Sequence, residues 1–201
     1  ATVLFVYCLF VGAAGTADSI SRERREGTLG LLFLTNLNSA EIVAGKVFSH
    51  GLALMYSLLA VFPILALPVL IGGITFGQFW RTVLALVGGL FFAIAAGFTA
   101  SSVCVRQFPA IALATGLALA WSLGLMGAAE VLRKSGLPIS TTNYVAGFSP
   151  LHTLLAANES VRMLRQSQYW FSLAAVLGLS WTWLALAAWR TGRSWRDRPK
   201  P

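Results

Sequence analysis

A chain of 201 residues that is 57% hydrophobic and only 11% charged does not fit a soluble domain, in which charged residues make up about 25%. Its apolar residues form long uncharged runs, and these predict an all-α polytopic membrane protein, a single transmembrane domain with about five spans over residues 1–201. The formal net charge of +8 does not indicate a nucleic-acid partner, because the basic residues lie at the ends of apolar runs, where membrane topology places them.

The first apolar run covers residues 1–17 and is about long enough to span a bilayer, which needs roughly 20 residues. It begins at Ala1, without Met and inside a hydrophobic run. We therefore interpret the chain as a fragment or processed chain that lacks an upstream segment. Asp18 ends the run.

A charged segment, residues 18–46, separates the first run from the second. Its part from Ile20 to Lys46 holds four of the basic residues and three of the seven acidic ones. An unpaired charge at the bilayer centre costs roughly 2.5–3.5 kcal/mol even on lenient insertion scales. The segment is therefore expected in water or at a headgroup surface.

This charged segment has an internal order. Arg22 and Glu26 have the (i, i+4) spacing of a helical ion pair, and Gly27 interrupts helix propensity after them. Thr28 can then cap a short second helix over residues 29–34. A solvated connector does not explain so apolar a helix, which needs the headgroup region or a partner protein to bury its face.

The next helix is predicted to start at the end of the charged segment, because Asn38 and Glu41 have capping-box spacing. It leads into the second span, residues 47–70. Pro63 and Pro68 lie inside this span. Each removes one backbone hydrogen bond, so a kink is expected in the outer half of the span.

Two further spans follow. The third span, residues 82–105, contains Gly88-Gly89 and Gly97, small residues that let helices approach closely. Pro109 is predicted to occupy the first position of the next helix. The fourth span covers residues 110–129.

Residues 130–168 form the outer segment, in which residues 137–168 are the longest stretch without a spanning run. Within it, residues 151–164 are weakly amphipathic and predict a helix that lies on the membrane surface or dips into it. Glu130 is interpreted as an interfacial end-cap, with a substrate-path or proton-relay role as the alternative. The fifth span covers residues 169–189, and a basic tail follows.

Basic residues predict the orientation of the bundle. Because five spans alternate sides, the charged segment lies on the same side as Arg106 and the C-terminal tail. Ten of the 15 basic residues fall on that side, and the positive-inside rule makes it the cytoplasmic one. The ten are Arg22, Arg24, Arg25, Lys46, Arg106, Arg190, Arg193, Arg196, Arg198 and Lys200; the five on the outer side are Arg81, Arg133, Lys134, Arg162 and Arg165.

The charged segment resembles a known family signature. Its matching run is Glu23-Arg-Arg-Glu-Gly-Thr-Leu-Gly-Leu-Leu-Phe-Leu-Thr-Asn-Leu, followed by Glu41-Ile-Val and Gly45-Lys46. Over about 27 residues this is similar to the signature of ABC-2-type transporter permeases. The family often has Glu in place of Gly30 and Pro in place of Asn36; Gly30 weakens the short helix by roughly 1 kcal/mol relative to Ala.

The resemblance implies the permease subunit of an ABC-2-type transporter, exporting a substrate across the plasma membrane (a bacterial inner membrane) and keeping its C-terminus in the cytoplasm. It implies a separate ABC ATPase that binds ATP and Mg²⁺, a second permease subunit in a homo- or heterodimer, and contact with membrane lipid. The chain itself is expected to bind no cofactor. In this family the short helix couples the permease to the ATPase. The residues expected to serve this coupling are Glu23, Arg24, Arg25, Glu26, Gly27, Thr28, Leu32 and Phe33. Leu32 and Phe33 are expected to be anchors in a groove of the ATPase.

The sequence shows no enzymatic motif. Gly45-Lys46 does not form a nucleotide-binding loop, because Ala40 and Val47 occupy the places of its first glycine and its Ser or Thr. Cys8 and Cys104 are interpreted as buried thiols, and no metal-binding spacing exists. No catalytic residue and no metal ligand is therefore predicted.

Two alternatives to transport stay open. One is a structural membrane subunit that transports nothing. The other is an intramembrane lipid-modifying enzyme, but the third and fourth spans offer it only Ser, Thr and one Cys. His50 is interpreted as a packed or interfacial histidine, and His152 as a surface residue.

Overall fold

In a computed structural model, the protein is described over residues 1–26, 39–136, 138–158 and 163–196. These residues form eight α-helices, and no strand occurs among them. The helices are α1 Thr2–Thr16, α2 Ser19–Glu26, α3 Ser39–Leu70, α4 Phe76–Val103, α5 Gln107–Lys134, α6 Ile139–Gly147, α7 Pro150–Asn158 and α8 Met163–Arg196. The predicted all-α fold is confirmed.

Five helical stretches in the described part of the chain are long and apolar enough to cross a membrane, as the sequence predicts. They are Thr2–Glu23, Ala40–Leu70, Phe76–Val103, Gln107–Lys134 and Ser167–Arg193. Each predicted span overlaps one of them. Most of the helices extend beyond the predicted spans, because a charged residue ends an apolar run without ending a helix.

The central element is α4, whose side chains are mostly buried and which contacts α1, α2, α3, α5, α7 and α8. Phe92 and Phe98, both fully buried, lie at the middle of the core around it. In contrast, few residues of α3 are buried along its apolar length. The bundle therefore has one helix at its centre and one at its edge.

Small residues allow α1 and α4 to approach closely. A side chain at Gly97 would overlap the Thr16 hydroxyl, and one at Gly89 would come within 2.5 Å of the Phe5 ring. The Thr16 hydroxyl donates hydrogen bonds to the carbonyl oxygens of Gly12, at 2.8 Å, and Ile94, at 3.3 Å. The predicted role of the third span's glycines in close helix packing is thus confirmed at Gly89 and Gly97.

Helix α3 continues through both of its prolines to Leu70. Its C-terminal carbonyls are then capped: the amide of Gly72 donates to Val69, at 3.1 Å, and that of Gly73 to Pro68, at 2.8 Å. Gly72 has φ of +80°, a left-handed conformation in which glycine is favoured at a helix end.

Two features of the helix pattern differ from the sequence-based expectation. Helix α5 begins at Gln107, so Pro109 is its third residue rather than its first; any position in the first turn tolerates proline, because those amides have no acceptor within the helix. Helix α7 packs against α4, α5 and α8, with Leu154 and Ala157 buried. Part of its apolar face is therefore covered by protein, while Leu155 is 40% exposed. Helix α6, which the sequence did not predict, packs beside α7.

We expect Gly97→Ala to lower the melting temperature of the purified protein in detergent. The added methyl group would meet Thr16 and lie 2.7 Å from the Ala13 carbonyl oxygen, and overpacking of this kind costs about 1–3 kcal/mol. Gly116→Ala in α5 is the matched control, because nothing lies within 4 Å of that position; it should leave the melting temperature unchanged or higher. Equal melting temperatures for the two variants would contradict the close α1–α4 contact.

Candidate coupling surface

The charged segment begins with α2, which follows α1 almost without a break. Ala17 keeps a helical conformation and its amide still donates to Ala13, at 3.0 Å. At the start of α2, the Asp18 carboxylate accepts a hydrogen bond from the Ser21 hydroxyl at 2.6 Å. The two helices are therefore joined through nearly continuous helical geometry.

The first turn of α2 is capped by a side chain of another helix. The hydroxyl oxygen of Ser101, in α4, accepts hydrogen bonds from the amides of Ile20, at 2.8 Å, and Ser21, at 3.0 Å. Amides in a first helical turn have no acceptor within their own helix, and Ser101 is buried from solvent. This hydroxyl therefore holds the start of α2 on the end of α4.

Arg25 makes a second connection from α2 to the end of α4. Its guanidinium donates to the Asp18 carboxylate, at 2.8 Å, and to the carbonyl oxygen of Val105, at 2.9 Å. The hydrogen bond with Asp18 raises the pKa of Arg25. Arg25 thus links three points of the chain: the α1–α2 junction, its own helix and the connection from α4 to α5.

Glu23 connects α2 to α3. Its carboxylate forms an ion pair with the Lys46 ammonium at 2.8 Å, and both side chains are mostly covered, with 25% and 19% of their surfaces exposed. The same ammonium donates to the carbonyl oxygen of Ser19 at 2.5 Å. We call these contacts of Ser101, Arg25, Glu23 and Lys46 the α2 clamp.

Two charged side chains of α2 beside Glu23 are exposed. Arg22 and Glu26 form the predicted (i, i+4) ion pair at 2.9 Å, with 70% and 51% of their side chains exposed. The predicted pairing is confirmed. In α2, the side chains of Glu23 and Arg25 therefore contact neighbouring parts of the protein, whereas the Arg22–Glu26 pair stays exposed to solvent.

The remaining predicted site residues lie outside the described part of the molecule. They are Gly27, Thr28, Leu32 and Phe33 and the side chain of Arg24. Sequence reasoning missed Ser101 and Val105 altogether, because they lie on α4 and directly after it, about 80 residues away. Lys46 did belong to the family signature, but nothing in its spacing indicated Glu23 as its partner.

Several hydroxyl groups in the spans form hydrogen bonds within their own helix. They donate to carbonyl oxygens of the preceding turn, as at Thr99 to Ala95, Ser122 to Ala118 and Ser180 to Val176. No group of three or more potential metal ligands occurs among the residues that the structure describes. His50 lies edge-to-face against Phe98, with ring centroids 6.2 Å apart, which is the packed position predicted for it.

The fold is that of a multi-pass α-helical membrane protein in which the short charged helix α2 contacts three spans. A family model described as "ABC-2 family transporter protein" matches residues 1–189. The chain therefore belongs to the ABC-2 transporter family, and it is a permease-type transmembrane protein. Permeases of this family generally pair with an ABC ATPase subunit. The chain matches no curated protein and no solved structure. The family predicted from the charged segment is confirmed.

We expect Ser101→Ala to loosen α2 without unfolding the bundle. Two first-turn amides lose their acceptor, and losing a helix cap costs about 1 kcal/mol, which corresponds to roughly fivefold faster opening. Hydrogen exchange measured by mass spectrometry on the peptide that contains α2 would detect this. The matched control is Ser102→Ala, because the buried Ser102 hydroxyl donates to Thr99 within α4. If both variants exchange at the same rate as the wild type, Ser101 does not hold α2.

Proposed function

We propose that this chain is the membrane subunit through which a separate ABC ATPase drives the export of a substrate, and that α2 transmits the movement of the ATPase to the spans. The observation that carries the proposal is the α2 clamp. One short charged helix is connected to α1 through the chain, to α3 through Lys46 and to α4 through Ser101. A force applied to α2 would therefore reach three spans together.

The strength of these contacts supports transmission rather than hinge motion. A helix cap contributes about 0.5–2 kcal/mol. An exposed ion pair contributes about 0–1 kcal/mol. The Glu23–Lys46 pair is mostly covered, so solvent screens it less than an exposed pair. A solvated connector would not bury its charges against two other helices. These contacts support the proposed coupling role of α2 over that of a solvated connector.

Docking to the ATPase is assigned to residues 27–38 together with the exposed face of α2. Residues 29–34 are almost wholly apolar, and fully burying one such side chain is worth roughly 1.5–3 kcal/mol before ordering and association costs. Leu32 and Phe33 are the proposed anchors. Arg22 and Glu26 supply exposed charges beside them.

Several further elements of the proposal follow from the family. ATP and Mg²⁺ would bind to the partner ATPase, and the pathway would form between this chain and a second permease subunit. Export requires two conformations of the permease whose balance the nucleotide state of the ATPase biases. The membrane is proposed to be the plasma membrane, with α2 on its cytoplasmic side.

The first test exchanges the charges of the clamp. Glu23→Lys and Lys46→Glu each place like charges at a 2.8 Å contact, so each should lower ATP hydrolysis by the co-reconstituted ATPase relative to wild type. The double variant restores an ion pair of opposite polarity and should recover most of the activity. Lys134→Glu, a reversal at an exposed residue at the other end of the bundle, is the control. If the double variant is no better than the single ones, the clamp does not transmit coupling.

A second arm of the same test separates docking from transmission. Phe33→Asp should reduce recovery of the ATPase in a pull-down by roughly tenfold or more, because a buried aromatic anchor is lost. The clamp variants should leave this recovery unchanged, since their residues face the permease itself. A non-transporting structural subunit would show no effect of either set on ATP hydrolysis.

The proposed orientation can be checked at the two ends of α5. In a background with Cys8→Ala and Cys104→Ala, we expect Ser135→Cys to react with an impermeant maleimide on intact cells. Gln107→Cys should react only after permeabilisation, because the ten-to-five distribution of basic residues places that end in the cytoplasm. Labelling of the Gln107→Cys variant from outside would reverse the topology.

A further inference from the structure

The end of the bundle opposite the α2 clamp contains a cavity of about 320 Å³, which we call the outer cavity. It lies between the C-terminal end of α5, the short helices α6 and α7, and the start of α8. Its volume falls within the range of about 300–1,000 Å³ typical of small-molecule sites. None of its residues belongs to the coupling surface.

The walls of the outer cavity are held by buried hydrogen bonds. The Ser149 hydroxyl donates to the Ser122 carbonyl oxygen at 2.7 Å, which fastens the α6–α7 corner to α5. The Ser172 hydroxyl donates to the Gly147 carbonyl oxygen at 2.7 Å, and Thr153 shares a 2.7 Å hydrogen bond with Ser172. Because all three hydroxyls are buried, the two short helices form a preorganised wall.

The polar side of the outer cavity offers both charges. Glu130 and Arg133, one helical turn apart on α5, form an ion pair at 2.8 Å and keep 47% and 61% of their side chains exposed. Two half-buried amides, of Asn143 and Gln168, and the half-buried imidazole of His152 complete this side. The opposite formal charges of Glu130 and Arg133 cancel.

The remaining wall is apolar. Met126, Ala129, Ala146, Leu155 and Ala156 line it. Ala129 and Ala146 are buried, whereas Leu155 is 40% exposed. A ligand in this cavity would therefore contact charge on one side and hydrocarbon on the other.

We infer that the outer cavity binds a zwitterionic amphiphile, with its anionic group at Arg133, its cationic group at Glu130 and its apolar part against Met126 and Leu155. A ligand with one charge would attract one member of the Glu130–Arg133 pair and repel the other. A zwitterion satisfies both and replaces their mutual contact with two charge-assisted hydrogen bonds. Such a ligand could be the headgroup of a membrane phospholipid or a free peptide-like molecule. The inference does not depend on ATPase coupling.

The test is equilibrium binding to the purified full chain in a nonionic detergent, measured by microscale thermophoresis. The probes are dihexanoyl-phosphatidylethanolamine, the anionic dihexanoyl-phosphatidylglycerol, a cationic dihexanoyl-trimethylammonium lipid, and the dipeptide leucyl-leucine. We expect a zwitterionic probe to bind saturably and at least roughly tenfold tighter than either singly charged lipid, the difference expected for one charge-assisted hydrogen bond. Preference for the phospholipid indicates a lipid headgroup site, and preference for the dipeptide indicates a site for free amphiphiles.

Variants locate the binding. The double variant Glu130→Gln/Arg133→Gln should weaken zwitterion binding at least roughly tenfold. The control is the double variant Arg22→Gln/Glu26→Gln, which removes a similarly exposed ion pair at the other end of the bundle. It should leave zwitterion binding unchanged. Ala156→Leu should block the cavity, and Ala128→Leu, an exposed position on α5 outside the lining, should not. Equal affinity for all charge types, no binding of either zwitterion, or wild-type binding by the Glu130/Arg133 variant would each overturn the inference.

Discussion

The close approach of α1 to α4 is the contact on which the arrangement of the molecule depends. Between helices in lipid there is little hydrophobic driving force, so association relies on packing of small residues and on hydrogen bonds between helices. Gly97 provides the space and Thr16 fills it. Ser101 follows Gly97 by one turn of α4, and Ile20 follows Thr16 by four residues. There the Ser101 hydroxyl accepts a hydrogen bond from the Ile20 amide. The contact that packs two spans thereby also positions the helix that the proposed coupling requires.

Hydroxyl groups and ion pairs occupy different parts of the described bundle. In the spans, several hydroxyls donate to backbone carbonyl oxygens of the preceding turn and so need no water, as at Thr99 and Ser180. Ion pairs lie toward the ends of the helices, where Arg25 binds Asp18 at one end and Arg133 binds Glu130 at the other. This separation leaves the middle of the bundle to packing, and it gives both ends of the bundle chemically specific surfaces.

The two ends differ in how their charges are used. At the α2 clamp, Glu23 and Lys46 are mostly covered, and they join helices that are distant in the chain. At the outer cavity, Glu130 and Arg133 are close in sequence and remain half exposed. Both belong to α5, so their ion pair lies within one helix. The first arrangement suits mechanical connection, because breaking a covered pair is costly. The second suits exchange with a ligand, because an exposed pair contributes little to stability and can rearrange at small cost.

By itself, the sequence determined the properties that depend on local patterns. Long uncharged runs predicted five spans, the (i, i+4) spacing predicted the Arg22–Glu26 pair, and the residues from Glu23 to Lys46 indicated the family. Hydropathy and helical periodicity are sums over neighbouring residues, so one chain segment suffices to read them. Such sums could not predict α6 or the burial of α7, because the apolar face of α7 is weak and only its protein neighbours decide what covers it.

The tertiary structure alone decided which partners the charged residues have. Glu23 and Arg25 were predicted as members of a coupling site, but their roles in the clamp depend on Lys46 and Val105, which the fold brings next to α2. In the sequence, Ser101 cannot be distinguished from other hydroxyl residues in apolar spans. In the fold, its hydroxyl accepts hydrogen bonds from amides 80 and 81 residues away in the chain. A hydrogen bond needs its donor and acceptor atoms within about 3 Å of each other. Helix packing creates that proximity, and a pattern of neighbouring residues in the sequence does not predict it.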